Sequence, residues 1–310
     1  GHTAPDTDAV CSAIAAAHLW GGTAVIANTP NRETMWVLQR FGVPVPPLAR
    51  ELSTPPAKWA LVDHASESQL PKEVDKSRIT MVVDHHKVSE DQVATQAPIH
   101  VDTRPWGCTC TILTYRYSQL GVTPPPAVAG LMLSAIVSDT LNARGPTTTE
   151  HDKAAMKYLA GIAGVTDVNA LAKGMFLAKS ELSHLTPKQI VLQDFKTFAV
   201  GGSKFGWGAV ETVEPKKMIA MEPRLRDAIS EVKLAKGLRY CFLSVTDISP
   251  DAEPHSFLVG LAAEDRDLAS RAFPQATSYT SGSALDIGRL TSRKKQFVPA
   301  VTAALRQGSA

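Results

Sequence analysis

Cysteine is scarce in this chain of 310 residues, and the cysteines that occur form no recognisable framework. Cys11, Cys108, Cys110 and Cys241 show neither a disulfide pattern nor the paired motifs of a zinc ribbon. Cys108 and Cys110 are close enough to be a ligand pair, but the Thr, Ile and Leu residues around them are typical of a packed helix. This use of cysteine indicates a reducing compartment, so we expect a cytoplasmic protein.

Long apolar runs and an excess of charge of one sign are also missing. No apolar run reaches the roughly 20 residues of a transmembrane helix, and no signal peptide is visible, so we expect no membrane association. The net charge of +2 provides no general attraction to nucleic acid, so any basic site must be local. A length of 310 residues is large for a single core and predicts two domains.

A dense group of metal-competent side chains opens the sequence. His2, Asp6 and Asp8 precede an Ala-rich segment, residues 9–19, that is expected to be a helix. Helix capping explains one of the two Asp residues, but two carboxylates this close repel each other unless a cation lies between them. The group therefore predicts a metal site. Ligands in α/β sheets usually follow a strand, so we expect a short strand before Gly1.

Two apolar runs further along the chain each end in an Asp followed by His. Trp59–Val62 is followed by Asp63, and residues 79–83 are followed by Asp84-His85-His86. Continuous apolar strands are typical of a parallel sheet that is covered on both faces. Because the carboxyl ends of parallel strands meet at one edge, these polar side chains should lie close together. A polar residue that merely opens a loop is the alternative for Asp63 taken alone.

The pattern as a whole predicts an α/β protein with two domains. Residues 1–183 should form a doubly wound, mostly parallel sheet, and residues 188–310 a smaller α/β domain with a mixed sheet, with the active site in the cleft between them. Helices are expected over residues 9–19, 32–41, 108–120, 127–141, 149–163, 168–179, 223–236 and 297–305. Further strands are expected over residues 23–27, 190–200, 204–213, 240–246 and 256–261, with Gly201-Gly202 as a hairpin turn.

Asp139 is the most telling single residue, because it lies within the largely apolar segment 127–141. An Asp buried there without a partner is costly, and a metal ion would remove the cost. A helix-end cap, with Ser138 and Thr140 as turn residues, is the alternative. The full set of candidate ligands is too large for one tetrahedral ion and suits two ions that share a bridging carboxylate. These ligands are His2, Asp6, Asp8, Asp63, His85 and Asp139.

Basic residues near the end of the chain suggest an anion site. Arg293-Lys294-Lys295 precedes an apolar helix, where backbone N–H groups and the helix dipole favour an anion. A solvated charged surface is the alternative. Lys196 lies in a predicted strand, where exposed lysines are common, and the residue pattern alone does not select it.

These motifs, in this order, resemble the family II inorganic pyrophosphatases, which depend on manganese or cobalt and belong to the DHH phosphoesterase superfamily. The resemblance covers essentially the whole chain. It is carried by residues 1–8, Val62-Asp63-His64, Asp84-His85-His86, Ser138-Asp139-Thr140 and residues 292–296. The sequence departs from the family at Ala4, where Asn is usual, and at Ala65-Ser66, where Asn-Glu is typical. Neither departure replaces a ligand, but both can alter the rate or the metal preference.

The resemblance implies hydrolysis of inorganic pyrophosphate to two orthophosphates by a metal-bridging hydroxide. Two Mn²⁺ or Co²⁺ ions per subunit are implied, with a further Mg²⁺ arriving with the substrate, in a homodimeric enzyme. One ion would be held by His2, Asp6 and Asp63, and the other by Asp8, Asp63, His85 and Asp139. Catalysis is assigned in this way to His86, Asp63, Lys196 and Arg293, and substrate binding to His86, Lys196, Arg293 and Lys294.

Two other functions are compatible with the same ligands. An exopolyphosphatase of the superfamily would release terminal phosphate from polyphosphate, although the compact length and Arg293-Lys294-Lys295 favour the pyrophosphatase. Nuclease-type relatives carry a Gly-Gly-His motif, which is absent here. A non-catalytic metal-binding relative is the remaining alternative, and the presence of every motif ligand argues against it.

Overall fold

Two separate β-sheets organise the chain, and each belongs to its own compact unit. The computed structural model describes residues 1–88, 90–279 and 284–307. Unit 1 is Gly1–Ala178 and unit 2 is Lys179–Ala310. The described residues form a parallel sheet in unit 1 and a mixed sheet in unit 2, which confirms the predicted α/β class.

The sheet of unit 1 has three parallel strands in the order β1-β2-β3. They are β1 (Trp59–Val62), β2 (Ile79–Asp84) and β3 (His100–Thr103). The first two were predicted, whereas β3 was not, because its His, Asp and Thr residues conceal the strand pattern. The predicted strand over residues 23–27 is wrong. Only a single bridge from Ile26 to Leu48 forms there, since prolines precede Leu48 and lack the N–H groups that would extend a ladder.

The helices of unit 1 bring apolar surfaces onto this sheet and onto one another. They are α1 (Thr7–Trp20), α2 (Arg32–Arg40), α3 (Thr109–Gln119), α4 (Pro126–Asp139), α5 (Glu150–Ala163) and α6 (Val168–Lys179). Helix α4 is the central one, because its residues from Val128 to Ser138 are all buried. It contacts α1 and α5, and its last residue, Asp139, is partly buried.

The sheet of unit 2 has the strand order β4-β5-β6-β7-β9-β8. Its strands are β4 (Phe195–Val200), β5 (Ser203–Thr212), β6 (Tyr240–Asp247), β7 (His255–Val259), β8 (Thr277–Tyr279) and β9 (Ala284–Gly288). Its helices are α7 (Pro187–Leu192), α8 (Pro215–Ala220), α9 (Glu222–Ala235), α10 (Ala263–Ala272) and α11 (Val298–Gln307), the last preceded by a π-helical turn, Arg293–Phe297.

Most predicted elements agree with the structure to within two residues at each end. The exception in unit 2 is the predicted strand over residues 190–200, which is a helix followed by a strand. Thr186 caps α7 by accepting a hydrogen bond from the Gln189 N–H, and Pro187 fits the first helical position, so the segment starts as a helix. Helices α8 and α10 and strands β8 and β9 were not predicted.

Apolar side chains cover both faces of the sheet of unit 2. Successive residues of β6 point to opposite sides, with Cys241 and Leu243 in one core and Phe242 in the other. Trp207 stacks on Phe297 in the second core and donates a hydrogen bond from Nε1 to Ser244 Oγ at 3.0 Å. Within the described residues, every helix is too short or too polar to cross a membrane.

Gly208 in β5 provides a test of this packing. A Cβ atom there would lie 2.6 Å from the backbone oxygen of Val191 and 3.0 Å from Leu243 Cδ1. We expect Gly208→Ala to destabilise the protein by about 1–3 kcal/mol, because backbone cannot move aside as a flexible side chain can. Gly161→Ala in α5 is the control, since a Cβ atom at that position would have no neighbouring atom within 4 Å. The control should raise or preserve the unfolding temperature, whereas an unchanged unfolding temperature for Gly208→Ala would contradict the packing.

Candidate metal centre

The six predicted ligands come together at one place in unit 1. The start of α1 carries Asp6 and Asp8, the end of β1 carries Asp63, the residue after β2 is His85, and α4 ends in Asp139. Ligand atoms lie within 4.8 Å of one another in two groups made up of these side chains alone, and a further group joins Asp63 and His85 with His86. The two groups are His2, Asp6 and Asp63, and Asp8, His85 and Asp139.

Asp63 lies between the two groups, and each of its carboxylate oxygens faces a different histidine. Its Oδ2 is 3.3 Å from His2 Nε2, and its Oδ1 is 3.5 Å from His85 Nε2. The backbone of Asp63 is left-handed, with φ at +63°, which is unusual for a residue with a side chain. Burial raises the carboxyl pKa, but hydrogen bonds with His2 and His85 hold the pKa of Asp63 well below its usual range. The residue is therefore an anion aimed at both groups.

Asp6 both caps a helix and faces the centre, so the two interpretations of the first motif are compatible. Its Oδ1 accepts a hydrogen bond from the Ala9 N–H at 2.9 Å, which caps α1. Its Oδ2 lies 3.6 Å from His2 Nε2. One oxygen thus serves the helix while the other remains directed towards the proposed ligands.

Asp8 caps a second helix from a buried position. Its Oδ2 accepts a hydrogen bond from the Thr109 N–H at 2.7 Å, and its Oδ1 accepts one from the Cys110 N–H at 3.1 Å. Both donors belong to the first turn of α3, where the helix dipole favours negative charge. Burial and the charge of Asp63 nevertheless raise the pKa of Asp8 to about 6.

Asp139 shows most directly that a cation fits this centre. Its Oδ2 is buried, has no hydrogen-bond partner in the described part of the chain, and lies 3.9 Å from His85 Nε2. Burial, together with the charges of Asp8 and Asp6, raises the pKa of Asp139 well above its ordinary value. Oxygen and imidazole donors of this kind suit Mn²⁺, and a divalent ion would relieve both the burial cost and the repulsion.

The turn after Asp139 is unusual in its backbone. Leu141, Asn142 and Ala143 all have positive φ values, of 51°, 56° and 61°. The hydroxyl oxygen of Thr140 accepts a hydrogen bond from the Ala143 N–H at 3.0 Å, and the same hydroxyl donates a hydrogen bond to the Ile136 carbonyl oxygen. Strained backbone of this kind persists only where its surroundings hold it, and here it ends α4 at the proposed ligand.

The histidines are oriented by fixed acceptors. His85 Nδ1 lies 3.1 Å from the Trp106 carbonyl oxygen, which can only accept, so Nδ1 carries a proton and Nε2 faces the carboxylates. His86 Nδ1 lies 2.9 Å from Asp84 Oδ1, and the His86 N–H also bonds that oxygen at 3.1 Å. The ring of His86 is therefore held by Asp84, with Nε2 left for another contact.

Other buried polar residues support the centre and were not identified from the sequence. Asp152 accepts hydrogen bonds from the Gly107 N–H and the Thr111 hydroxyl, which fixes the segment next to Trp106. Gly107 has no space for a side chain, because a Cβ atom would lie 2.8 Å from Asp152 Oδ2. The sequence feature that could have identified Asp152 is the capping pattern from Thr149 to Asp152, but this pattern is typical of an ordinary helix start. Glu33 is a second such residue.

The two cysteines next to the centre are buried, and they also form a potential ligand group with Asp8. Burial raises the pKa of Cys108 well above its usual range and that of Cys110 to about 12. Both thiols are therefore protonated at neutral pH in the metal-free protein, as is usual for buried cysteines that pack in a core.

The predicted substrate-binding cations belong to unit 2. Lys196 lies in β4, and Arg293 and Lys294 lie in the π-helical turn before α11. Arg293 is held in place, since its Nη2 bonds Asp194 Oδ1 at 2.7 Å and its Nη1 bonds the Asp194 carbonyl at 2.6 Å. The structure thus orients one of the three cations through a residue, Asp194, that the sequence pattern does not single out.

The histidines make the stability of the metal-free protein dependent on pH. Burial opposes protonation, but hydrogen bonds with carboxylates raise the pKa of His2 to about 10 and that of His85 to about 9, from 6.5. This stabilisation is complete below pH 6.5 and is lost as the pH rises through 9 to 10. We expect the unfolding temperature of the metal-free protein to fall over this range, and less so in Asp63→Asn. Equal slopes in the two proteins would contradict the assignment.

Known proteins resemble this chain over nearly its whole length. The "DHH family, N-terminal domain" model matches residues 1–136, and the "DHHA2 domain" model matches residues 173–304. A relative from Deinococcus radiodurans, named "Probable manganese-dependent inorganic pyrophosphatase", is 39% identical over 96% of this chain and 95% of its own length. An Archaeoglobus fulgidus relative of the same name is 33% identical, with the same two coverages of 96% and 95%.

Solved structures point in the same direction. A Methanococcus jannaschii protein, described as a "putative family II inorganic pyrophosphatase", has a TM-score of 0.80 and 31% identity over 99% of this chain and 98% of its own. An exopolyphosphatase-related protein from Bacteroides fragilis has a TM-score of 0.50 and 14% identity over 99% and 90%, which indicates a shared fold alone. From the domain order, the full-length identity and the ligand set together, the chain belongs to the family II inorganic pyrophosphatases.

Proposed function

We propose that this protein hydrolyses inorganic pyrophosphate to two orthophosphates at the centre in unit 1. The observation that carries the proposal is Asp63, whose two oxygens face His2 and His85 at 3.3 and 3.5 Å. A carboxylate presented to two ligand groups in this way suits a pair of ions, and paired ions are the usual device for phosphoryl hydrolysis. The full-length relatives named as pyrophosphatases support the same substrate.

Two ions per subunit would divide the ligands between them, with Asp63 bridging. The first ion would be held by His2, Asp6 and Asp63, and the second by Asp8, Asp63, His85 and Asp139. Manganese is supported by the names of the relatives, while Co²⁺ as an alternative and a further Mg²⁺ with the substrate are proposed from the family resemblance. Ions bound there would polarise phosphoryl oxygens and lower the pKa of the attacking water.

His86 is proposed to contact the substrate directly. Asp84 Oδ1 accepts a hydrogen bond from His86 Nδ1–H, so that ring nitrogen is not available to a ligand. Nε2 is the remaining polar atom of the ring, and it can donate a proton to, or accept one from, a phosphate oxygen. The side chain of His86 is 36% exposed, so a substrate can reach it, in contrast to the buried Asp84.

Lys196, Arg293 and Lys294 are proposed to bind the phosphate groups, and Lys196 and Arg293 to assist catalysis. The planar guanidinium of Arg293 matches two phosphate oxygens at once, and Asp194 fixes its plane before any ligand arrives. This assigns metal binding to the domain proposed over residues 1–183 and phosphate binding to the domain proposed over residues 188–310. The family resemblance also leads us to propose a homodimer, and the free cysteines favour the cytoplasm.

The substrate is tested by phosphate release from pyrophosphate and from polyphosphate, each in Mn²⁺, Co²⁺ or Mg²⁺ alone. We expect faster turnover of pyrophosphate and loss of activity in Asp63→Ala, because the shared ligand is removed. Asp75→Ala is the control, since Asp75 is exposed and bonds only the neighbouring Ser77 and Arg78 in the described contacts. Faster turnover of polyphosphate would identify an exopolyphosphatase, and no turnover of either would favour a non-catalytic metal-binding protein.

The role of Arg293 is tested by a substitution that keeps the charge. We expect Arg293→Lys to lower kcat/KM for pyrophosphate by about 100-fold, because lysine cannot make the paired hydrogen bonds of a guanidinium. Arg226→Lys in α9 is the matched control, since that arginine pairs with Glu222 on the same helix. Steady-state kinetics at saturating Mn²⁺ measures both variants. If Arg293→Lys behaves like the control, the guanidinium has no special part in substrate binding.

A further inference from the structure

We propose that Glu33 is a positioning residue of the metal centre. Its carboxylate ties the segment that carries Asp6 and Asp8 to the segment that carries Asp139. The effect of Glu33 on metal affinity follows from the geometry of the proposed ligands, whereas its effect on catalysis rests on the proposed function. Glu33 is in none of the potential ligand groups formed by the described residues, so it acts through other side chains.

The contacts of Glu33 connect two segments that are far apart in sequence. Its Oε2 accepts a hydrogen bond from Thr7 Oγ1 at 3.1 Å and another from Ser138 Oγ at 2.9 Å. Thr7 lies between the two Asp residues of the first motif, and Ser138 directly precedes Asp139. One oxygen atom is therefore shared by the neighbours of three proposed ligands.

The protons of this group have one consistent arrangement. Each hydroxyl has a single proton, and both Thr7 and Ser138 direct theirs to Glu33 Oε2, which accepts twice. Thr34 Oγ1 lies 3.0 Å from Thr7 Oγ1, so with the Thr7 proton committed to Glu33, Thr34 must be the donor. The hydrogen bonds thus run from Thr34 to Thr7 to Glu33 and from Ser138 to Glu33.

The place of Glu33 in the fold explains why such a group is tolerated. It is only 1% exposed, but it lies in the first turn of α2, where the helix dipole favours a carboxylate. Thr7 is the first residue of α1 and Ser138 lies in the last turn of α4. A shift of either helix end would displace a proposed ligand, and the shared acceptor opposes that shift. Outer hydrogen-bond partners of metal ligands commonly affect metal affinity 10- to 100-fold.

The experiment measures Mn²⁺ binding by calorimetry on the full chain after removal of metal, alongside thermal unfolding. Glu33→Ala removes the shared acceptor, whereas Glu33→Gln keeps a carbonyl oxygen that can accept both hydrogen bonds. We expect Glu33→Ala to weaken Mn²⁺ binding by about 10-fold, the low end of that range, because Glu33 bonds the neighbours of the ligands rather than the ligands themselves. Glu33→Gln should restore most of the affinity. Ser138→Ala removes one of the two bonds and should cause a smaller loss, which tests the proposal even if Glu33→Ala does not fold.

Asp265→Ala is the matched control, since Asp265 is a buried carboxylate of unit 2 that bonds Lys233 and the Cys241 N–H. It should lower the unfolding temperature and leave the Mn²⁺ affinity unchanged. Lower stability of Glu33→Ala with wild-type affinity would overturn the positioning role, as would equal losses in Glu33→Ala and Glu33→Gln. If the wild type does not hydrolyse pyrophosphate but Glu33→Ala loses affinity, the proposed function fails and this inference stands.

Discussion

The mutual repulsion of carboxylates in a buried space is the constraint on which unit 1 depends. Asp8, Asp63 and Asp139 converge with Asp6 beside them, and burial makes each negative charge more costly than in water. The fold compensates part of this cost in different ways at different residues. Asp8 receives backbone N–H groups, and Asp63 lies against His2 and His85, whereas one oxygen of Asp139 receives no hydrogen bond from the described residues. Part of the negative charge, above all at Asp139, is therefore left uncompensated by the described residues, and a divalent cation would offset it.

Backbone elements, rather than side chains alone, bring the ligands to one point. Parallel strands β1 and β2 end at the same edge, so Asp63 and His85 follow them side by side. Helix α1 starts and helix α4 ends at this edge, and both have largely buried surfaces that fix their positions. The left-handed turn at Asp63 and the strained turn after Asp139 are the local adjustments that aim the carboxylates once the large elements are in place.

The clustering of the proposed ligands could be predicted because strong local patterns mark these residues in the sequence. Asp63 and His85 come just after largely apolar runs, and Asp139 interrupts an apolar segment of the sequence. Their supporting residues carry no such mark: Glu33 and Asp152 look like ordinary acidic residues at helix starts. The acceptor of His85 is the Trp106 carbonyl, a group that every residue type possesses, so residue identity does not reveal it. The strand predicted over residues 23–27 does not form, because the segment it would pair with contains prolines just before Leu48, and the sequence of residues 23–27 does not reveal them.

The two backbone hydrogen bonds to Asp8 have a consequence for the proposed metal centre. Because the first turn of α3 donates two backbone hydrogen bonds to its carboxylate, a permanent partial positive charge is built into the site before any metal arrives. That charge cannot dissociate, so the carboxylate of Asp8 is held by the backbone of α3. A metal ion at the proposed centre would then meet a carboxylate that is already in position, because backbone N–H groups of α3 fix the direction of Asp8.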